Sequence, residues 1–116
     1  EAIINQTKVI KKIANISNAV IIGRSADYIL RENKNLIKIF IYASMDYKIE
    51  NVMKNYGDNK KQAKNHILDS DKSRSNYYSA IANRNWGDKN NYDLCIDAKI
   101  GNENVVKIIC DYVKNK

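Results

Sequence analysis

The chain reads as an α/β protein: a three-layer parallel sheet with flanking helices. Short apolar, β-branched runs at Val20–Ile22, Leu36–Ala43 and Tyr92–Ile96 have the continuous hydrophobicity of strands buried on both faces. Stretches of helical periodicity separate these runs. Strands that alternate with helices pair in parallel through right-handed crossovers. A length of 116 residues fits one domain able to bury its own core.

The elements follow in order. Ile3, Val9, Ile10, Ile13 and Ile16 recur at helical spacing, with Lys8, Lys11 and Lys12 between them, which predicts an amphipathic helix with a basic outer face. Ser17-Asn18 ends it. Val20–Ile22 is then a short buried strand and Ala26–Leu30 a short helix. Asn33–Asn35 is a polar turn before the aromatic-rich strand Leu36–Ala43. Met45, Ile49, Val52, Met53 and Tyr56 mark a helix that Gly57 stops. Asp58 is placed to cap the next helix, about Asn59 to Ile81. Its apolar stripe of Ala63, Ile67, Tyr77, Tyr78 and Ile81 is interrupted by Ser70, Asp71 and Arg74, and such a polar window marks a candidate site. Asn83–Asn91 is a polar loop carrying Trp86-Gly87-Asp88. The strand Tyr92–Ile96 ends at Asp97. Gly101-Asn102 opens a last helix with Val105, Val106, Ile109, Tyr112 and Val113 inward.

The formal charge of +7 favours anionic partners or simple solubility, without choosing between them. Cys95 and Cys110 lie in apolar runs and read as reduced core thiols of a cytoplasmic protein, a disulfide being the lesser alternative. One histidine, His66, and no Cys-x-x-Cys give no zinc pattern, and no metal site is expected. No apolar run approaches the ~20 residues of a membrane span.

Four groups of residues carry candidate chemistry. Arg24 stands where a strand ends in glycine, and open α/β sheets place ligands at such ends. Its guanidinium suits a phosphate; the plainer reading is a helix-start arginine paired with Asp27 or Glu32. Asp71 and Arg74, at i and i+3, share a helix face. They suit a sugar or base on one side and a phosphate on the other, or form an ordinary ion pair. Tyr77, Tyr78 and Trp86 can stack on a base or close a core edge. Lys60, Lys61 and Lys64, with Lys54, are a solvated basic face or a lid over phosphates. Ser70, Ser73 and Ser75 lack the partners of a nucleophile.

Four stretches resemble the cytidylate kinase-like family. "AVIIGRSAD" (Ala19 to Asp27) resembles the strand that ends in a glycine-arginine pair at the nucleoside monophosphate. "IKIFIYASMDYKIE" (Ile37 to Glu50) is similar to the family's next strand and the helix entering the lid. "DKSRSNYY" (Asp71 to Tyr78) resembles its D-x-x-R element, and "NYDLCIDA" (Asn91 to Ala98) its last strand. The resemblance implies a P-loop nucleotide kinase-like fold and phosphoryl transfer from ATP, with Mg, to a nucleoside monophosphate. It implies that Arg24 and Arg74 hold the acceptor phosphate and Asp71 its sugar or base, with Asp27 and Tyr78 also among the substrate-binding residues. Lys48, which stands where the family has arginine, and Lys61 and Lys64 would contact phosphate from a lid-like region of about 46–75. Asp97 and Lys99 would lie near the base of the donor.

Two departures shape these expectations. Ser25 stands where the family pattern has aspartate, which leaves the preferred base open. No G-x-x-x-x-G-K-[ST] occurs: Gly23, Gly57, Gly87 and Gly101 are the four glycines, and none precedes Lys-Ser or Lys-Thr. Residues 1–116 are therefore expected to be a single but partial, N-terminally truncated domain, the acceptor and lid half, inactive alone and binding no ATP tightly. In the family the absent strand lies between those placed at Val20 and Ile37, so a further segment or a second chain is expected to complete the sheet. The rival expectation is a basic nucleic-acid or anion-binding module without catalysis; a third is a degenerate kinase fold used for assembly.

Overall fold

The computed structural model describes residues 2–116; Glu1 and the side chains of Ala2 and Ile3, with the inward place predicted for Ile3, lie outside the described residues. Helix α1 (Ala2–Ile16) presents Lys8, Lys11 and Lys12 to solvent as its periodicity predicts. Its buried contact is narrower than the apolar stripe. Ile10 packs on α2 (Ala26–Ile29) with Ala14 beside it, while Val9, Ile13 and Ile16 face solvent.

The strand predicted at Val20–Ile22 does not form. Val20 is 94% and Ile22 89% exposed, and Ile21 alone of the three leans on the cluster of Ile10, Ala26, Ile29 and Leu30. A strand persists when its N–H and C=O groups find a ladder partner, and neither β-strand described below runs alongside this segment. It leads into three successive left-handed residues, Gly23 (φ 71°), Arg24 (φ 61°) and Ser25 (φ 55°). The two non-glycine members are strained, because Cβ crowds the carbonyl in that region.

The fold is mixed α and β on a two-stranded parallel sheet. Strands β1 (Ile39–Tyr42) and β2 (Leu94–Asp97) pair with Ile39 opposite Leu94 and Tyr42 opposite Asp97. Both are shorter than their apolar runs. The ladder begins where the Lys38 carbonyl accepts from the Asp93 and Leu94 amides, at 2.8 and 3.2 Å.

Helices α3 (Met45–Tyr56) and α4 (Lys60–Ala82) form a hairpin with defined ends. Ser44 caps α3 through the Tyr47 amide, and Gly57 (φ 72°) closes it in the left-handed conformation that glycine adopts freely. Asn59, not Asp58, caps α4: Asn59 and Gln62 form a reciprocal capping box. The Asp58 carboxylate instead meets His66 Nδ1 at 2.8 Å. Ile49, Ala63 and Ile67 form the hairpin core, and Ala63, wholly buried, lets the two helices approach closely.

The loop 83–91 folds over the sheet. Trp86 meets Phe40 edge-to-face at 5.6 Å, and Tyr92 lies against the same ring at 4.8 Å. Gly87 (φ 83°) is required there, since a Cβ would come within 3.2 Å of the Phe40 ring. Helix α5 (Asn102–Lys114) buries Val105 but exposes Val106 and Val113, both predicted inward. Cys95 and Cys110 are free thiols, as predicted, but exposed rather than in the core. These exposures share one cause: a sheet of two short strands has too little surface to cover a helix on each face. The radius of gyration, 15.7 Å, exceeds the roughly 13 Å of a compact domain of this length.

Candidate functional site

Two segments far apart in sequence meet at α2. The Tyr78 hydroxyl, on α4, donates to Asp27 Oδ2 on α2 at 2.8 Å. Tyr78 is 3% exposed, and burial followed by the bond to the Asp27 carboxylate pushes its phenol well above the ordinary range. At neutral pH the hydroxyl is therefore a fixed donor to Asp27. Arg24 lies three residues before Asp27, and Arg74 lies one helical turn before Tyr78. This single bond ties the glycine-arginine turn to the D-x-x-R face.

Arg24 itself is exposed and makes no polar bond among the described residues, so the pairing with Asp27 or Glu32 is not found. Asp71 is doubly engaged: Lys48 Nζ donates to Oδ2 at 2.8 Å, and Arg74 approaches Oδ1 at 3.6 Å. The predicted lid cation Lys48 thus sits on the predicted sugar-facing carboxylate, and Arg74, 64% exposed, stays available to an anion. Lys61 and Lys64 lie exposed near the start of α4. Asp97 accepts from the Lys99 amide at 2.9 Å and caps the 3-10 turn Ala98–Ile100. That local role joins neither residue to the arginines. Two surface hollows lie elsewhere, one between α1 and residues 29–35 and one at the end of α5. Neither hollow is lined by Arg24 or Arg74, and both arginines are exposed.

Arg84 also meets α2, a contact that no local sequence pattern announces. Its guanidinium lies over the Tyr28 ring of α2 at 4.9 Å and donates to Asn91 Oδ1 at 3.1 Å, while Nε is buried without a hydrogen-bond partner. Arg31 approaches the same ring at 4.0 Å. One signal was present in the sequence: the chain uses four arginines, at 24, 31, 74 and 84, among 20 Lys and Arg. Two of them, Arg31 and Arg84, lie against the Tyr28 ring of α2, and Arg24 precedes that helix in the chain.

ATP and Mg fit the described residues poorly. No three His, Cys, Asp or Glu side chains among them converge on a metal-sized site, and no glycine-rich loop is present to wrap a triphosphate. No helix of the described residues is long and apolar enough to cross a membrane.

The fold defines a mixed α/β protein on a short parallel sheet, with Arg31 and Arg84 against the Tyr28 ring of α2. The chain belongs to the cytidylate kinase-like family, whose profile matches residues 1–100. A crystal structure of an uncharacterized protein from Eubacterium ventriosum is similar over 98% of this chain, with 34% identity and a TM-score of 0.93. The chain spans 65% of that protein's length. No curated protein matches it.

Proposed function

We propose that this chain carries the acceptor-binding and lid portion of a nucleotide kinase that moves a phosphoryl group from ATP to a nucleoside monophosphate. The observation that supports the reading is the Tyr78–Asp27 bond, which joins α4, the helix carrying Asp71 and Arg74, to α2, the helix that follows Arg24. Arg24 and Arg74 hold the acceptor phosphate, where two guanidinium forks neutralise charge and fix its direction. Asp71 takes the sugar or base edge once Lys48 swings from it to the phosphate. Residues 46–75 act as the lid, with Lys48, Lys61 and Lys64 on it. Asp97 and Lys99 stand at the sheet end toward the donor.

A three-layer sheet is completed when a further strand inserts between Val20–Ile22 and the free edge of β1. Two features support this: the exposure of Val20 and Ile22, and the one-third of the related structure that has no counterpart here. That inserted segment brings the phosphate loop for ATP and Mg. The reading places the protein in the cytoplasm, where its nucleotides are.

Calorimetric titration of the chain with CMP tests the reading. Weak saturable binding that is lost in Arg24→Ala, without turnover of ATP, is expected. The exposed Lys8, Lys11, Lys12 and Lys60, Lys61, Lys64 favour the alternative of a basic nucleic-acid module. Absence of nucleotide binding, together with RNA affinity that falls steeply with salt, would establish that alternative.

A further inference from the structure

We propose that Arg84 is a positioning residue for Arg24, acting through the Tyr28 ring; this rests on the reading of Arg24 as the phosphate contact. Helix α2 is four residues long, and its N-cap, Ser25, makes no side-chain capping bond. A single uncapped turn has no intrinsic stability, and here it follows two strained left-handed residues. Its orientation must come from tertiary contacts. Ala26, Ile29 and Leu30 seat it on α1, and Tyr78 holds Asp27. Neither contact links it to the sheet.

Arg84 supplies that link. Its carbonyl accepts from Ser79 Oγ at 3.3 Å, and its guanidinium is bonded to Asn91 at the far end of the same loop. The loop is fixed to β1 by the packing of Trp86 and Gly87 on Phe40. The planar group then lies over Tyr28, one residue after Asp27. The turn that carries Arg24 is thereby held to the sheet through the 83–91 loop. Lysine cannot replace arginine in this role, because a rounded ammonium has neither the flat face nor the directional fork. In a chain whose cations are mostly lysines, an arginine here is chemically informative.

The test compares Arg84→Lys, Tyr28→Leu and Tyr28→Phe in the full chain by amide NMR and CMP titration. Arg84→Lys and Tyr28→Leu are expected to shift the amides of Gly23 to Ala26 and to weaken CMP binding roughly tenfold or more. Trp86 fluorescence should stay unchanged, showing the loop still seated on Phe40. Tyr28→Phe keeps the ring face and should retain both wild-type shifts and affinity. Unchanged Gly23 to Ala26 amides in Arg84→Lys and Tyr28→Leu would overturn the proposal, as would a Tyr28→Phe that behaves like Tyr28→Leu. If the wild type binds no CMP, the kinase reading fails, and the amide shifts still decide whether Arg84 positions the turn.

Discussion

The α3–α4 hairpin and the stretch from Ser17 to Tyr42 adjoin in sequence and differ in how far their own residues complete them. The hairpin has a cap at each helix start, a left-handed glycine between the helices, and a core of Ile49, Ala63 and Ile67. Its Lys48–Asp71 pair joins the helices through side chains 23 positions apart. The Ser17–Tyr42 stretch has, at Val20–Ile22, apolar residues of strand type with no strand beside them, then a strained turn, and reaches a strand only at β1, which is completed by β2. Helices satisfy their backbone within themselves, whereas a strand needs a neighbour. The lid-like part is therefore finished locally, and the sheet-forming part is finished only by what pairs with it.

Substitutions should separate the two regions in order of size. Ile67→Ala removes a buried side chain from the hairpin core and should cost about 2–5 kcal/mol in denaturant unfolding. Tyr78→Phe leaves the Asp27 carboxylate without its donor and should cost about 1.5–3 kcal/mol. The same bond sets an alkaline limb. The folded-state phenols of Tyr78 and Tyr92 are raised, chiefly by burial, so their contribution is complete below the unfolded phenol value. It declines as pH rises past about 10, where unfolded tyrosines ionise and the folded ones do not. Tyr78→Phe should flatten this limb, leaving a smaller one from Tyr92. Asn59→Ala, which breaks the capping box, should cost about 1 kcal/mol by thermal unfolding. Val20→Ser should fall within about 0.5 kcal/mol, because the side chain is already in solvent. A loss at Val20 comparable with that at Ile67 would erase the distinction between the regions.

Much of the helical architecture was legible because its signals are local. The periodicity of Met45 to Tyr56 and the glycine after it correspond to α3 and its cap. The cap of α4 was misplaced by one residue, because Asp58 and Asn59 are both good caps and Gln62 selects Asn59. Leu36–Ala43 contains β1, trimmed to the residues that find partners in β2. Val20–Ile22 has the composition of a buried strand, yet composition cannot say whether a partner strand is there. For the same reason the apolar surroundings of Cys95, Val106 and Val113 predict an inward place, and all three are exposed. The site was legible in pieces. Asp71 and Arg74 on one helix face follow from spacing. The Lys48–Asp71 pair, the Tyr78–Asp27 bond and the Arg84–Tyr28 stack join distant positions and leave no local pattern.

Residue-resolved NMR during titration with CMP addresses the central claim, that the Gly23–Arg24 turn and the Asp71–Arg74 face bind one phosphate together. The account predicts that signals of Arg24 and of Arg74 move with a common midpoint, and that Arg24→Ala abolishes the response at both. Independent midpoints, or shifts confined to the lysines of α1 and the start of α4, would contradict it.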